Sequence, residues 1–306
     1  MSRQNESTVL FDALGPKGRR NSNIASIISA VVILGVLAFA ASVLADEGFF
    51  EASRWVNPLD ALVVETTWIP AILDTLTAFA LGSVLALILG VLFGFGRISR
   101  FALTRWASTG YVQFFRALPL ILLIWISFTI DGHFGFTSDT LGWSSDTRRL
   151  TFLVLGLGIY NGAVLAEILR AGVAALPPGQ AMAGYAVGLT HGQVQRLIVL
   201  PQVLRNMLPA VLAQLVILLK DTSLGYVITY PELLHSANII GRDYSNSFLQ
   251  ALVIAAFIYF VMAYALSKLV VLVERKMRKK TAAPKAAAQL ESEITAGQGS
   301  GAAILP

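Results

Sequence analysis

Long apolar runs leave this chain few ways to fold. The first run, Ile24 to Ala45, has 22 residues and no charge, and as an α-helix it would be about 33 Å long at ~1.5 Å per residue. That length is enough to cross the ~30 Å hydrocarbon core of a bilayer. The sequence therefore predicts an all-α integral membrane protein with six transmembrane helices. The spans are predicted at about 24–45, 70–95, 111–130, 150–169, 208–228 and 248–273.

The first run has a second interpretation, because Val43-Leu44-Ala45 would suit a signal peptidase. The apolar region of a signal peptide is about 7–15 residues long, however, and this run is longer. We therefore predict a retained first span that follows a basic segment over residues 1–23. The transmembrane domain would cover 24–275, and the Ala-, Gly- and Lys-rich residues 276–306 are predicted to form a disordered tail.

Composition excludes several classes of function. Of the 306 residues, 56% are hydrophobic and 13% are charged, which is typical of a membrane protein. The chain has no cysteine, and its three histidines are scattered, so neither a disulfide nor a metal-ligand spacing is present in the sequence. It contains no GxxxxGK(S/T) motif, so any ATP would be hydrolysed by a separate partner. We predict no catalytic residue, no metal and no bound cofactor in this chain.

The distribution of lysine and arginine predicts the orientation in the membrane. Loops on the side of the two termini hold sixteen of these residues, whereas loops on the opposite side hold four. Positive charge is enriched in cytoplasmic loops, so both termini are predicted to be cytoplasmic in a multi-pass cell-membrane protein. The same distribution accounts for the net charge of +5 without a nucleic-acid partner.

Two of the predicted spans carry small residues at every fourth position. Such a stripe lies on one face of a helix and lets two helix backbones approach closely in lipid, so we expect close helix packing there. The stripes are Gly82, Ala86, Gly90 and Gly94 in the second span and Gly158, Gly162 and Ala166 in the fourth.

One long interval in the second half, residues 170–209, is too polar to lie in a lipid core. Its residues 180–187 and 192–200 are mostly good helix formers, and Thr190-His191-Gly192 predicts a turn between them. We expect a helix-turn-helix on the cytoplasmic membrane surface, with Gly188 ending its first helix.

Within this interval, Gly188, nine further residues and Ile198-Val199-Leu200-Pro201 have the spacing of the EAA loop. This resembles the signature of the membrane subunits of binding-protein-dependent ABC importers, although Met182 stands where the motif has its glutamate. The resemblance implies that 170–207 is a cytoplasmic coupling loop that docks onto an ATPase. The candidate coupling residues are Gln180, Met182, Ala183, Gly188, Leu189, Ile198, Leu200 and Pro201.

Three other segments extend the resemblance, over about 71–275, to the polar amino-acid branch of that family. FFRALP from Phe114 is similar to the FFRGTP signature, and its Arg116 is interpreted as a snorkelling anchor at the inner interface. YNGAVLAEILRAG from Tyr160 is similar to AYxAEIxRAG, in which Glu167 and Arg170 are predicted to form a structural ion pair. LKDTSL from Leu219 resembles a run found at the same point in the branch.

The resemblance implies the type I ABC importer permease fold and transport by alternating access. It also implies a dimer of cytoplasmic ATP-binding subunits, a second permease that is identical or homologous, an extracellular substrate-binding protein and the lipid bilayer as partners. The variants at Phe114 and Tyr160, together with Phe11-Asp12-Ala13, are most similar to glutamate-uptake permeases of actinobacteria. The expected substrate is therefore L-glutamate, with glutamine, aspartate or a basic amino acid as alternatives.

The LKDTSL run predicts charges deep in the fifth span. At ~1.5 Å per residue from Leu208, Asp221 would lie roughly 20 Å into the bilayer, where charges usually face a water-filled path or a partner. The carboxylate, ammonium and hydroxyl groups of the run would complement a zwitterion, so we predict a substrate pathway here. The alternative is a Lys220–Asp221 pair that merely fixes helix packing. The candidate pathway residues are Lys220, Asp221, Thr222 and Ser223, with Asp74 and Thr75 as weaker candidates.

Two other classes of protein remain open from the sequence. An ion-coupled secondary transporter should show an internal repeat, and no convincing repeat is present. A membrane enzyme would need a nucleophile, an acid-base pair or a metal cluster, and the predicted spans carry none of these.

Overall fold

The computed structural model describes residues 15–243 and 247–281, which form helices joined by short turns. Within these residues, five helical segments are long and apolar enough to cross a membrane. A sixth crossing results if Ala102–Ala117 and Leu120–Phe134 together form one span. The prediction of an all-α membrane protein is thereby confirmed. The five long helical segments are Lys17–Asp46, Ala61–Arg97, Ser145–Ala174, His191–Ile228 and Phe248–Glu274.

Several helices continue into one another through a tighter or wider helical turn. The tighter 3-10 turns are Asn57–Leu59 and Thr222–Ile228, and the wider π turns are Val64–Trp68, Phe136–Thr140 and Gln195–Val199. The α-helices are α1 (Pro16–Asp46), α2 (Ala52–Val56), α3 (Ala61–Val63), α4 (Ile69–Arg97), α5 (Ala102–Ala117), α6 (Leu120–Phe134), α7 (Ser145–Ala174), α8 (Pro178–Ala186), α9 (His191–Val194), α10 (Leu200–Asp221), α11 (Leu233–Asp243) and α12 (Phe248–Thr281).

The first helix, α1, begins at Pro16, because proline fixes φ and the missing N–H has no partner in a first helical turn anyway. Apolar side chains are exposed all around α1, as expected of a helix that contacts lipid. The turn that follows α1 is tied to the last helix, where Gln250 Nε2 donates to Phe49 O at 3.1 Å.

The centre of the fold is the pair α4 and α7, which pack along the two predicted stripes of small residues. A Cβ added at Gly90 would lie 2.6 Å from Leu165 Cβ and 3.4 Å from the carbonyl oxygen of Gly162. One added at Gly162 would lie 2.8 Å from Leu89 Cβ. The backbones approach each other at a distance that a side chain would prevent, so the predicted close packing is confirmed.

The third predicted span, 111–130, is wrong as a single helix. α5 ends at Ala117, α6 begins at Leu120, and the two axes meet at 99°. Pro119 explains the break, because a proline lacks the N–H of a helix and disfavours the helical conformation of the residue before it. Leu118 accordingly has the extended angles φ −83° and ψ 136°.

The other predicted spans all lie within longer helical segments, as the fifth and the sixth illustrate. The fifth, predicted at 208–228, is the end of a helical run that continues from α9 through a π turn into α10 and its 3-10 end. The sixth, predicted to end at 273, continues as α12 to Thr281, so residues 276–281 are helical and were wrongly included in a disordered tail. The remaining predicted tail and residues 1–14 of the predicted basic segment lie outside the described residues.

Between α10 and α12, the amphipathic helix α11 packs against the start of α4. Leu233, Ala237 and Ile240 of α11 are buried together with Ala71 of α4 and Ala251 of α12. This packing holds the beginning of α11 beside the end of α10, where the predicted pathway residues lie.

Candidate functional site

The polar run 219–224, called the polar bend below, lies where α10 changes into a tighter helix. α10 ends at Asp221, and the 3-10 helix that follows is terminated by Thr229 at φ 56°, in the left-handed region. Thr222 is fully buried at the change, whereas Lys220 remains exposed. The bend therefore separates neighbouring polar side chains into different surroundings.

Lys220 lines a cavity of about 480 Å³ between α10 and α12, together with Tyr259 and Tyr264. Within residues 15–243 and 247–281, no carboxylate lies within ion-pair distance of its ammonium group. The alternative Lys220–Asp221 pair is thus not formed, because successive helix residues project about 100° apart. Ser223 makes a local contact, its Oγ donating to the carbonyl oxygen of Lys220 at 2.8 Å.

Asp221 belongs to a polar chain between α7 and α10, called the amide chain below. Its carboxylate interacts with the side chain of Asn161, and Asn161 Oδ1 accepts from Gln214 Nε2 at 2.7 Å. Asn161 is fully buried and Gln214 nearly so. Neither amide is among the predicted site residues, although a single amide inside an apolar run is the signal that identifies such a position.

A second polar cluster, called the carboxyl cluster below, joins Thr222 to α11 and α12. The Thr222 hydroxyl lies 3.5 Å from the hydroxyl of Tyr259, which in turn donates to Glu232 Oε2 at 2.7 Å. Glu232 also accepts the backbone N–H groups of Leu234 at 2.7 Å and His235 at 2.8 Å. These two bonds cap the start of α11 and hold the carboxylate in place.

Helix α4 contributes to the same cluster. The hydroxyl of Thr75 accepts the backbone N–H of Leu233 at 3.3 Å. Its neighbour Asp74 contributes a backbone carbonyl, which accepts from the Tyr230 hydroxyl at 3.0 Å. The second span and the polar bend are thereby connected through the beginning of α11.

The predicted pathway residues therefore fall into separate groups. The carboxyl cluster holds Thr75 and Thr222, the amide chain holds Asp221, and Lys220, Ser223 and the carboxylate of Asp74 belong to neither.

Glu232 has no exposed surface and lies between the long helical segments 191–228 and 248–274. Burial raises its pKa to about 7, although the three hydrogen bonds it accepts favour the ionised form. The group is missing from the predicted site, because one glutamate between two spans is not unusual in a sequence. Its burial depends on helices that are distant along the chain.

The coupling interval folds into a helical hairpin of α8 and α9. Gly188 has φ 84°, its N–H donates to Tyr185 O at 3.0 Å, and the N–H of Leu189 donates to Gly184 O at 3.1 Å. This is a Schellman motif, which confirms Gly188 as the residue that ends the first helix. The turn lies slightly earlier than predicted, because Thr190 already caps α9 by donating its N–H to Gln193 Oε1 at 2.8 Å.

The predicted coupling residues divide between two faces of the hairpin. The exposed face is apolar at its tip, where Met182 is 65% and Val187 is 76% exposed. The inward residues keep the hairpin closed, as Ile198 does by packing on Gly184. Exposed members of the predicted set are Gln180, Met182, Ala183 and Gly188, and half-buried members are Leu189, Ile198, Leu200 and Pro201.

The predicted ion pair of Glu167 and Arg170 is present, with Arg170 Nη2 2.6 Å from Glu167 Oε1. Two further arginines surround the same carboxylate: Arg97 from the end of α4, which donates to Oε2, and Arg116 from the end of α5, whose Nη1 is 3.4 Å from Oε2. These four residues are called the arginine cluster below. Only the pair within α7 could be predicted from spacing, since the other partners lie on separate helices.

Residues 82–279 match the family of binding-protein-dependent transport system inner membrane components. The match includes the hairpin, the polar bend and both polar clusters except the part that the start of α4 contributes. This chain belongs to that family. The permease is 34% identical over 235 residues to the glutamate transport system permease protein GluD of Corynebacterium glutamicum, an alignment that covers 77% of this chain and 84% of GluD.

A second relative is the glutamate/aspartate import permease protein GltK of Escherichia coli O6:H1. It is 34% identical over 215 residues, which cover 68% of this permease and 94% of GltK. A solved structure, described as an amino acid ABC transporter with histidines, superposes with a TM-score of 0.62 at 27% identity and covers 71% of this chain and 97% of that one. The permease therefore has the type I ABC importer fold and is a transport subunit, with ATP hydrolysis assigned to a separate subunit.

Proposed function

We propose that this permease imports L-glutamate by alternating access, with both termini and the α8–α9 hairpin on the cytoplasmic side of the cell membrane. A dimer of ATP-binding subunits would dock on the hairpins of two permeases, and an extracellular binding protein would deliver the amino acid. One relative at 34% identity is named for glutamate transport and another for glutamate/aspartate import, which supports this choice of substrate.

The observation that carries the mechanism is the continuous helical run 191–228. It begins inside the hairpin and ends in the polar bend. Because a hydrogen-bonded helix moves as a unit, displacement of the hairpin would be transmitted to Asp221 and Thr222 at the other end. The movement produced by ATP-driven closure of the ATPase dimer would thus be transmitted to both polar clusters through this helical run alone.

The exposed tip of the hairpin supports docking of a protein partner. Large apolar side chains such as Met182, Tyr185 and Val187 are exposed on a segment that is otherwise polar. Exposed apolar patches with a polar rim are typical of protein interfaces. Met182 in place of the motif glutamate makes this surface more apolar and removes one negative charge from it.

The charges at the polar bend support an amino-acid substrate that is not basic. The bend offers one cation and one carboxylate, which complement the α-carboxylate and the ammonium group of the substrate. Lys220, which has no ion-pair partner among the described residues, supplies a cation at the wall of its cavity. Asp221 supplies one carboxylate for the ammonium group, whereas a basic amino acid would require a second.

Uptake of a labelled amino-acid panel, in cells with and without this chain, tests the proposal. Loss of glutamate uptake is expected, and loss of arginine, lysine or glutamine uptake instead would keep the importer but discard glutamate. Asp221→Asn is expected to reduce uptake while the ATPase still co-purifies. Asp146→Asn, a change to an exposed carboxylate, is the control and should transport normally. Normal uptake by Asp221→Asn would remove Asp221 from the pathway.

Docking is tested separately by Val187→Asp. A charge at the apolar tip is expected to abolish co-purification of the ATPase, whereas Val187→Ala should preserve it. If Val187→Asp still retained the ATPase, the exposed tip would not be the docking surface.

A further inference from the structure

The arginine cluster carries more positive charge than its single carboxylate can neutralise. Arginine is always protonated in proteins, so Arg97, Arg116 and Arg170 surround Glu167 with an excess of two positive charges. Within the residues that the structure describes, no other carboxylate lies within ion-pair distance of these arginines. The cluster is therefore an electrostatically incomplete site.

The excess charge is accessible from outside the protein. The side chain of Arg97 is 10% exposed, whereas those of Arg116 and Arg170 are 44% and 41% exposed. Arg116 contacts Glu167 at 3.4 Å through one nitrogen, which leaves most of its guanidinium edge free of other partners in the described chain. Two guanidinium groups thus present donors toward the surroundings of the protein.

The surface beside the cluster is apolar and aromatic. One face of α5 carries Leu103, Trp106 and Phe114, which are 84%, 77% and 60% exposed and recur at helical spacing. Helix α5 packs on α4 and α7 next to the arginines, at the same end of these helices as the hairpin. Apolar and aromatic residues beside arginines, at the end of membrane-crossing helices, are typical of the headgroup region of a bilayer.

We propose that the arginine cluster binds the phosphate group of an anionic phospholipid. A guanidinium group matches phosphate oxygens with two parallel N–H bonds, and the excess charge of the cluster favours an anion. The exposed face of α5 favours a lipid over free phosphate, because it would contact the acyl chains of the same molecule. Binding would hold the ends of α4, α5 and α7 together at the level of the hairpin, and it does not depend on which substrate is transported.

The test uses the full-length permease in nanodiscs of phosphatidylcholine with a minor fraction of phosphatidylglycerol. After transfer to detergent, native mass spectrometry counts the phospholipids retained by each protein molecule. Arg116→Gln is the informative variant, because Arg97 and Arg170 still neutralise Glu167. Arg149→Gln is the matched control, since Arg149 pairs with Asp146 at the opposite end of α7.

Wild type and Arg149→Gln are expected to retain phosphatidylglycerol in preference to phosphatidylcholine. Arg116→Gln should retain about tenfold less phosphatidylglycerol, which is the effect of losing one charge-assisted hydrogen bond. Equal retention by Arg116→Gln, or equal loss in Arg149→Gln, would overturn the proposal. Displacement of the lipid by millimolar inorganic phosphate would also overturn it, by showing a free-phosphate site. If Arg116→Gln does not fold, Arg116→Lys must show the loss, because an ammonium group cannot form the paired contact.

Discussion

Changing the pH across neutrality tests the buried carboxyl group of Glu232. Its pKa is raised from the ordinary 4.5 to about 7 by burial. A carboxyl group with a raised pKa stabilises the folded state fully below its ordinary pKa, and this contribution is lost as the pH rises through the raised value. At ~1.4 kcal/mol per pKa unit, the loss is about 3 kcal/mol in the free energy of opening around α11.

Hydrogen exchange of peptides from α11, measured in nanodiscs from about pH 5 to about pH 8, reports that free energy after correction for intrinsic exchange. Glu232→Gln is the matched variant, because it keeps the shape of the neutral acid but cannot ionise. Wild-type protection is expected to fall with rising pH, while the variant should lack this decrease.

His235, whose backbone N–H donates to Glu232, is also titratable, and its effect must be separated from that of Glu232. Burial, with repulsion from Arg149 and Arg242, lowers the pKa of His235, so its contribution to stability is lost as the pH falls and has the opposite sign. Glu232→Gln retains His235, so the difference between the two proteins isolates the carboxyl group. An identical pH dependence in wild type and Glu232→Gln would refute the conclusion that Glu232 is desolvated.

Three further predictions concern packing and hydrogen bonds. Gly188→Ala should destabilise the hairpin by about 1 kcal/mol in hydrogen exchange. A side chain at this position would meet no neighbouring atom, so the cost comes from the left-handed φ of 84°, and Gly188→Asn should cost less because asparagine tolerates that conformation better. Gly90→Ala should cost about 1–3 kcal/mol in thermal unfolding by overpacking against α7, whereas Gly110→Ala, in open space, should not destabilise. Gln214→Leu should cost about 1–2 kcal/mol, and much less when Asn161 is already alanine; additive effects would show that the two amides are not coupled.

Features that depend on neighbouring residues could be predicted from the sequence. A span needs a sufficient length of apolar residues, and five of the predicted spans lie within long helical segments. The end of α8 at Gly188 follows from the left-handed backbone that glycine allows. The Glu167–Arg170 pair follows from helical spacing alone.

The third predicted span is two helices, and this was missed because hydropathy gives no information on backbone conformation. α6 is apolar and α5 is amphipathic, so the predicted span extended across their boundary, where Pro119 alone marks the 99° bend between them. A proline can kink a membrane helix or end it, and neighbouring packing decides which occurs. Here α6 packs against α7 while α5 crosses the ends of α4 and α7, which stabilises the divided arrangement.

The candidate site shows the same limit. The pattern of charges in an apolar span was enough to locate the polar bend, because a charge in lipid is costly wherever its partners lie. It could not show that Asp221 joins Asn161 while the adjacent Thr222 joins Tyr259, since each partner comes from a different helix.

The positions of the spans, the ends of the helices and the place of the polar bend thus follow from neighbouring residues in the sequence. The reason is that hydrophobic length, glycine conformation and the cost of a buried charge depend on local residues. The partners of Glu167, the burial of Glu232 and the grouping of the pathway residues arise only when α4, α5, α7, α10, α11 and α12 pack together. Packing decides them because an ion pair, a hydrogen bond or a desolvated carboxyl group depends on distances between atoms that the sequence separates by tens of residues.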